Sequence, residues 1–415
     1  METMMKKFGH VLIVIVSALI LQCCSTDDPF GDYENSGVNY GNGGTMSVDG
    51  SSAGAVSSGS SEITSFDIAI DRETAEPATT VAAYYPDEED NLSNNSFGTE
   101  VAIDMANPTA GTVSGVSISV NGGHITANHG SQKGISYVVT GSADNGSLTI
   151  VGEKKYKLTL NSVDITNPDS AALNLLSSKR AFVVLSGTST LTDGTSSKND
   201  HKGALYCKGK LLISGSGQLS VYGNYNNAIH TADYIVTDKG VNIYAKSTAN
   251  HGIKANDGVF INGGVLNVEV SAAAAKGINC ESNIMVNGGR TTVITTGTGD
   301  YDTDDKEAKG AAAIKCDSVF TQNGGEVLLK STGNGGKGLR AGWEGYVNGG
   351  TLKVLTTGGT YSSNNDTASP KGIKTGRYPD EHASDERFWA AAELLLATGK
   401  AKYRKAAAKY PFLPT

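Results

Sequence analysis

The sequence predicts an all-β fold, a right-handed parallel β-helix of roughly nine or ten coils with a short α-helical C-terminal tail, and three observations predict it. An Asn-Gly-Gly turn recurs with its asparagine at 262, 287, 323 and 348, at spacings of 25, 36 and 25 residues. In phase with it runs a ladder of aliphatic residues, Leu205, Ile229, Ile253, Ile278, Ile314, Leu339 and Ile373, spaced 24, 24, 25, 36, 25 and 34. The third observation is composition: 52 glycines against 9 prolines and 9 phenylalanines in 415 residues suit short strands and tight turns better than a compact globular core.

Taken in chain order, residues 1–24 read as a signal rather than as part of the fold. Lys6 and Lys7 precede an apolar run from Val11 to Leu21 that ends at Cys23 and Cys24. That run is too short for a bilayer span. It resembles a bacterial lipoprotein signal, and Leu21 at the third place before Cys24 makes Cys24 the expected lipidation site. Residues 25–61 are rich in Gly, Ser and Asn and read as a flexible tether, because such a composition buries too little apolar surface to order itself. Residues 62–110 hold one alternating stretch and the acidic run Asp87 to Asp90, and are expected to add a strand or two at the mouth of the stack.

The repeat body is expected over residues 111–376. Each unit carries two runs of alternating apolar residues around its turn, such as Val259 and Ile261 before it and Leu266, Val268 and Val270 after it. A period near 25 is one coil of a β-helix, whereas a propeller blade needs about 40–45 residues. The two longer spacings are coils with insertions, Thr296 to Glu307 and Gly358 to Ser369. After Gly376 the pattern stops. Ser384 with Asp385 and Glu386 makes a helix start, and residues 377–415 are expected to be helical.

Strand alternation then assigns the side chains. The residues two after each ladder aliphatic are small and point inward, and they include Cys207, Cys280 and Cys316, which therefore read as buried apolar groups rather than as a metal or redox site. The residues between point outward: Tyr206, His230, Lys254, Asn279, Lys315, Arg340 and Lys374. This mostly cationic row has two readings, a solvated and internally neutralised face or a track for an acidic or hydroxyl-rich polymer. Tyr301, Trp343 and Tyr361 supply aromatic faces of the kind that stack on sugar rings. Asp300, Asp302, Asp304 and Asp305 form a dense set of hard oxygen donors in the first insertion, suited to calcium or simply to an acidic loop.

A net charge of -8 and a pI near 5.4 give no basic footprint for nucleic acid. No H-E-x-x-H or P-loop is present, and no carboxylate pair stands out as a glycosidase dyad.

Lys276-Gly277-Ile278, Lys371-Gly372-Ile373, the N-G-G turns, Asn161 to Pro168 and Leu191-Thr192-Asp193-Gly194 resemble the bacterial carbohydrate-binding domain-containing β-helix family. The resemblance covers roughly residues 60–376. It implies a pectate-lyase-like fold, association with calcium, and binding of cellulose-like or pectic polysaccharides. One departure is that His251, Lys276 and Lys337 stand where that family often has acidic residues, which places calcium at those turns in doubt. The stretch from Asp385 to Tyr403 resembles one helix of the (α/α)-barrel cellulases of glycoside hydrolase family nine, without the catalytic carboxylates.

The expected protein is thus a monomeric, lipid-anchored lipoprotein of the outer membrane or cell surface that binds polysaccharide without catalysis. Two alternatives stand beside it: a calcium-dependent polysaccharide lyase with Lys315 or Lys254 as base, and a structural adhesin with a protein partner.

Overall fold

The computed structural model describes residues 66–196 and 200–376, with the backbone of Thr45–Asp49, all within one compact unit, Gly41–Gly376. The signal segment with Cys24, most of the tether and the expected helical tail lie outside the described residues. Those described are all-β except for two single 3-10 turns, Glu88–Asp90 and Leu92–Asn94.

One coil illustrates the plan. It runs through Lys276–Cys280, then Asn283–Val286, then the turn at residues 287–289, then Arg290–Thr295. Each strand pairs in parallel with its counterpart one coil on: Ala312–Cys316, Phe320–Gln322 and Glu326–Ser331. Three parallel ladders result, named here first, second and third in that order. The first ladder extends from Gly123–Asn128 to Lys371–Lys374 within a 12-stranded sheet. Its opening edge is closed by Gly111–Val113 and Val116–Asn121, which fold back antiparallel. The second and third ladders are joined by the long strand Tyr156–Asn167 into an 18-stranded sheet. Thr99–Asp104 already pairs in parallel with Ile135–Ala143 in the second ladder, so the stack begins ahead of residue 111.

The aliphatic ladder read from the sequence is the register of the first ladder. Leu205, Ile229, Ile253, Ile278, Ile314, Leu339 and Ile373 are successive Cα partners. From Leu205 to Leu339 they are buried in one continuous core together with Val268, Val293 and Val354 from the third ladder. Each such aliphatic, fully withdrawn from water, contributes about 1.5–3 kcal/mol. Cys207, Cys280 and Cys316 are free thiols in this core, and Cys280 and Cys316 are register partners.

Glycine has two distinct uses here. Gly289, second glycine of its turn, has φ 76°, and a Cβ on it would lie 2.4 Å from the Gly264 carbonyl oxygen of the coil below. Gly277 is needed for space instead: its Cβ would lie 2.1 Å from Val293 Cγ1 in the core.

Both insertions leave the turn that leads from the third ladder back to the first. The first folds into the hairpin Asp300–Asp302 with Glu307–Lys309, the second into Tyr361–Ser363 with Asp366–Ala368. The two hairpins touch, with the Ala308 N–H donating to Asp366 Oδ2 at 2.7 Å.

Residues 66–98 form an irregular strap over the outside, while Thr99–Asp104 supplies a strand at the start of the stack, within the segment expected to hold one. Asp67 pairs with Lys330 at 2.6 Å and Asp71 with Arg290 at 3.5 Å on the third ladder. Thr79 donates to the Asn287 carbonyl at the N-G-G corner. Farther on, Asp87 and Asp90 hold Arg180 at 2.6 and 2.7 Å. Tyr85, Leu92 and Phe97 cover Phe182, Leu212, Tyr234 and Phe260, an apolar cluster on the outer face of the second ladder.

Candidate functional site

The strap decides which outer face stays accessible. Among the described residues it makes no hydrogen bond or ion pair with a first-ladder strand, so that face remains open while the second is covered. The open face carries the outward row in the register read from the sequence: Tyr206, His230, Lys254, Asn279, Lys315, Arg340 and Lys374 are successive partners. Neighbours in such a ladder are about 4.8 Å apart.

At its centre the row forms the floor of a cleft of about 510 Å³, with Asn279, Lys315 and Arg340 in the floor. It is also lined by His251 and residues 273–276, and by Asp302, Asp305, Glu307 and Lys309 of the first hairpin. The hairpin therefore stands as a wall beside the cationic row, because both it and the row belong to consecutive coils joined at one corner.

The charges are unevenly compensated. Lys254 pairs with Glu281, and Lys315 pairs with Asp317 at 2.5 Å. Lys309 lies between Asp302, at 2.7 Å, and Asp305, with Glu307 at 3.6 Å. Its ammonium group, hydrogen-bonded to Asp302, holds that carboxyl down at about 2. Arg340, by contrast, has no carboxylate partner among the described residues.

Lys276 is 8% exposed and donates to the carbonyls of Ala274 and, at 3.1 Å, Gly310. Burial first, and then the cations Lys315 and Arg340, pull its ammonium down to about 7. Lys337 is lowered to about 8 by burial and then by Arg340 and Lys374. His251 Nδ1 accepts from the Lys276 backbone N–H at 3.1 Å, so its proton sits on Nε2. Burial and the Lys276 charge depress it to about 3, leaving a neutral ring. Asn279 is 7% exposed, and its Oδ1 has no hydrogen-bond partner.

Of the residues expected to bind carbohydrate, the structure brings Lys315 and Arg340 into the cleft. Tyr206, His230, Lys254 and Lys374 belong to the same row but do not line it. His230 is buried, its ring edge against Tyr206 at 5.6 Å, and is lowered to about 4 by burial and then Lys254. Tyr301 lies in the first hairpin, and Tyr361 packs over Gly299, where a Cβ would come within 2.5 Å of its ring. Trp343, 60% exposed, sits on the corner between the first and second ladders. The aromatic groups thus do not share one platform.

Of the expected calcium donors, Asp302 and Asp305 face Lys309, and Asp302 Oδ1 also accepts from the N–H groups of Asp304 and Asp305. Among the described residues no three His, Cys, Asp or Glu side chains converge as a metal site. A cation entering here would displace the Lys309 ammonium. The role of Lys276, His251 and Asn279 in the cleft was not assigned from sequence. The K-G-I motif and the uncharged member of a cationic row were the available signals.

A family model described as carbohydrate-binding domain-containing protein matches residues 129–274. A carbohydrate-binding domain-containing protein of Acetivibrio thermocellus is 26% identical over 165 residues, 37% of this chain and 56% of that protein. A separate 37-residue match, 60% identical, is to the xyloglucan-specific endo-beta-1,4-glucanase BoGH9A of Bacteroides ovatus and covers 9% of this chain and 6% of that enzyme. The chain thus spans about half of one curated relative and a small fraction of the other. Among solved structures, a polysaccharide lyase-like protein from C. thermocellum aligns over 68% of this chain and 97% of its own, at 21% identity and a TM-score of 0.44.

Proposed function

We propose that the coils wind as a right-handed parallel β-helix and that the open face of its first ladder binds polysaccharide, cellulose-like or uronate-bearing, in the cleft over Asn279, Lys315 and Arg340. The observation that carries this reading is the cleft itself: a polar groove on a face to which the strap makes no hydrogen bond or ion pair among the described residues, with Arg340 lining it and no carboxylate among those residues paired to it. Groups repeated at a constant rise suit a polymer that also repeats. The family match over residues 129–274 supports the ligand class. In this reading a monomer is held at the envelope by a lipid on Cys24.

Affinity electrophoresis through gels containing polygalacturonate or a soluble cellulose derivative tests it. Retardation in at least one gel, diminished in Arg340→Ala, is the expected result. Unretarded migration in every gel overturns the reading and favours a protein-binding adhesin.

One observation favours a second reading, a polysaccharide lyase. Buried Lys276, lowered to about 7, is better placed as a base than the ion-paired Lys315 or Lys254. Incubation with polygalacturonate, with and without calcium, reports on it through the ultraviolet absorbance of unsaturated uronate. A flat trace in both removes lyase activity on that substrate.

A further inference from the structure

The stacked cations of the coils are not all compensated alike. Lys254 has Glu281, Lys315 has Asp317, and on the third ladder Arg290 has Glu326, one carboxylate for each. The last two coils break this rule. Lys337 and Arg340 stand on one strand and Lys371 and Lys374 on the next, with Lys337 opposite Lys371 and Arg340 opposite Lys374. Among the described residues none of the four has an ion-pair partner. Like charges facing each other across a ladder repel. Burial and then Arg340, Lys374 and Lys371 lower the Lys337 ammonium, and burial and then Arg340 and Lys371 lower that of Lys374. The acid that acts on both, Glu307, is shared with Lys309 at 3.6 Å. None of the four cations is buried, and the cleft reaches them only through Arg340, since Lys337, Lys371 and Lys374 do not line it.

We propose that Lys337, Arg340, Lys371 and Lys374 form an anion site at the end of the first ladder that binds a phosphate monoester carried by a glycan. The proposal rests on the reading of this face as a polysaccharide site for the sugar, and on the four cations for the anion. Strand neighbours lie about 4.8 Å apart and the two positions on each strand about 10 Å, so four long side chains close on one group between them. A uronate or a sulfate ester brings a single negative charge, which matches one cation, as Glu281 matches Lys254. A phosphate monoester brings a charge of about -1.5 to -2 and three acceptor oxygens. It therefore answers two pairs of cations with one group, and the Arg340 fork pairs side-on with two of its oxygens. The chain as a whole carries a net charge of -8, so retention by a polyanion calls for a local cationic site of this kind.

Affinity electrophoresis of the full chain at physiological ionic strength, through gels containing hydroxyethyl, carboxymethyl, sulfated or phosphorylated cellulose at matched substitution, tests this. The phosphorylated polymer is expected to bind about tenfold tighter than the carboxymethylated one. The double variant Lys371→Gln/Lys374→Gln, altered only outside the cleft, is expected to weaken the phosphorylated polymer by about tenfold and leave the hydroxyethyl polymer unchanged. It should melt no lower than the wild type, since it relieves facing like charges. Lys371→Arg/Lys374→Arg keeps the charge and should keep the preference; its loss there too would assign the effect to strand shape and overturn the site. Equal retardation by the sulfated and phosphorylated polymers overturns the assignment to a doubly charged group. A wild type that binds the carboxymethyl or hydroxyethyl polymer as tightly as the phosphorylated one overturns the anion site and leaves polysaccharide binding intact. Unretarded migration in all four gels overturns both.

Discussion

The side-chain amide of Asn287 donates to Oδ1 of Asn262 at 3.1 Å, and its own oxygen accepts from Asn323 Nδ2 at 2.9 Å. Asn348 continues the chain to Asn323 at 2.8 Å, while at the other end Tyr84 and Asn262 bond each other through backbone and side chain. The turn asparagines are thus a hydrogen-bonded column as well as turn formers. Asn287→Ala breaks two links, each worth about 0.5–1.5 kcal/mol, and takes the acceptor from the half-buried Asn323 amide, so it is expected to cost about 1–3 kcal/mol in urea unfolding. Asn348→Ala, at the exposed end, should cost less.

Gly289→Ala forces a Cβ onto a residue at φ 76° and against the Gly264 carbonyl. A loss of about 1–3 kcal/mol is expected, read as a lower urea midpoint with unchanged m-value. An unaltered midpoint would contradict the turn geometry.

The buried Lys276 makes stability depend on pH. In the folded protein it loses its proton near 7, against a reference of 10.5 for an exposed lysine. Between those values the unfolded chain binds the extra proton, so this group's contribution to stability rises with pH across the window and is flat below it. Lys276→Met is expected to flatten the rise in melting temperature between pH 7 and pH 10 relative to the wild type. Parallel curves for the two proteins would show that Lys276 is charged throughout.

Three thiols should be inert until the fold opens. Burial pushes Cys207 and Cys316 up to about 12 and Cys280 to about 11, and the thiolate is the reactive form. Alkylation at pH 8, mapped by mass spectrometry, should label these three only in denaturant. Rapid native labelling of Cys280 or Cys316 would place them outside the core.

Lys309→Met removes the ammonium between Asp302 and Asp305. Partly exposed pairs of this kind are worth about 0–1 kcal/mol, so the melting temperature should hardly move. Calcium affinity at the hairpin, measured calorimetrically, should rise, because two carboxylates lose their internal cation. Equal calcium affinity in both proteins would show that Lys309 does not compete there.

The register of the first ladder was legible from sequence because its signal is periodic: Ile253, Ile278 and Ile314 recur wherever the core needs an aliphatic group. The fate of the cysteines followed from the same alternation. What did not follow was anything set by contacts between distant segments. The strap over Phe182 and Phe260 pairs residues far apart in the chain, Phe97 with Phe182 and Tyr84 with Phe260, with no period to betray it. Nor does sequence reveal that Lys309 turns back onto its own hairpin, or that Asn279 is left without a donor. Those facts depend on which side chains converge at a corner, and alternation states only the side they leave from.

A stack of repeats, taken alone, frays from its ends, since each coil touches only its neighbours. The strap changes this, because one continuous segment is fastened to Lys330 near one end and to Arg180 toward the other. Unwinding past Lys330 requires releasing Asp67, then Asp71 from Arg290, then Glu76 from the backbone N–H groups of Gly264 and Gly240. Fraying of the coils between Arg180 and Lys330 is thereby coupled to release of the strap, and the ladder that carries the cleft shares in that fastening without any covering of its own.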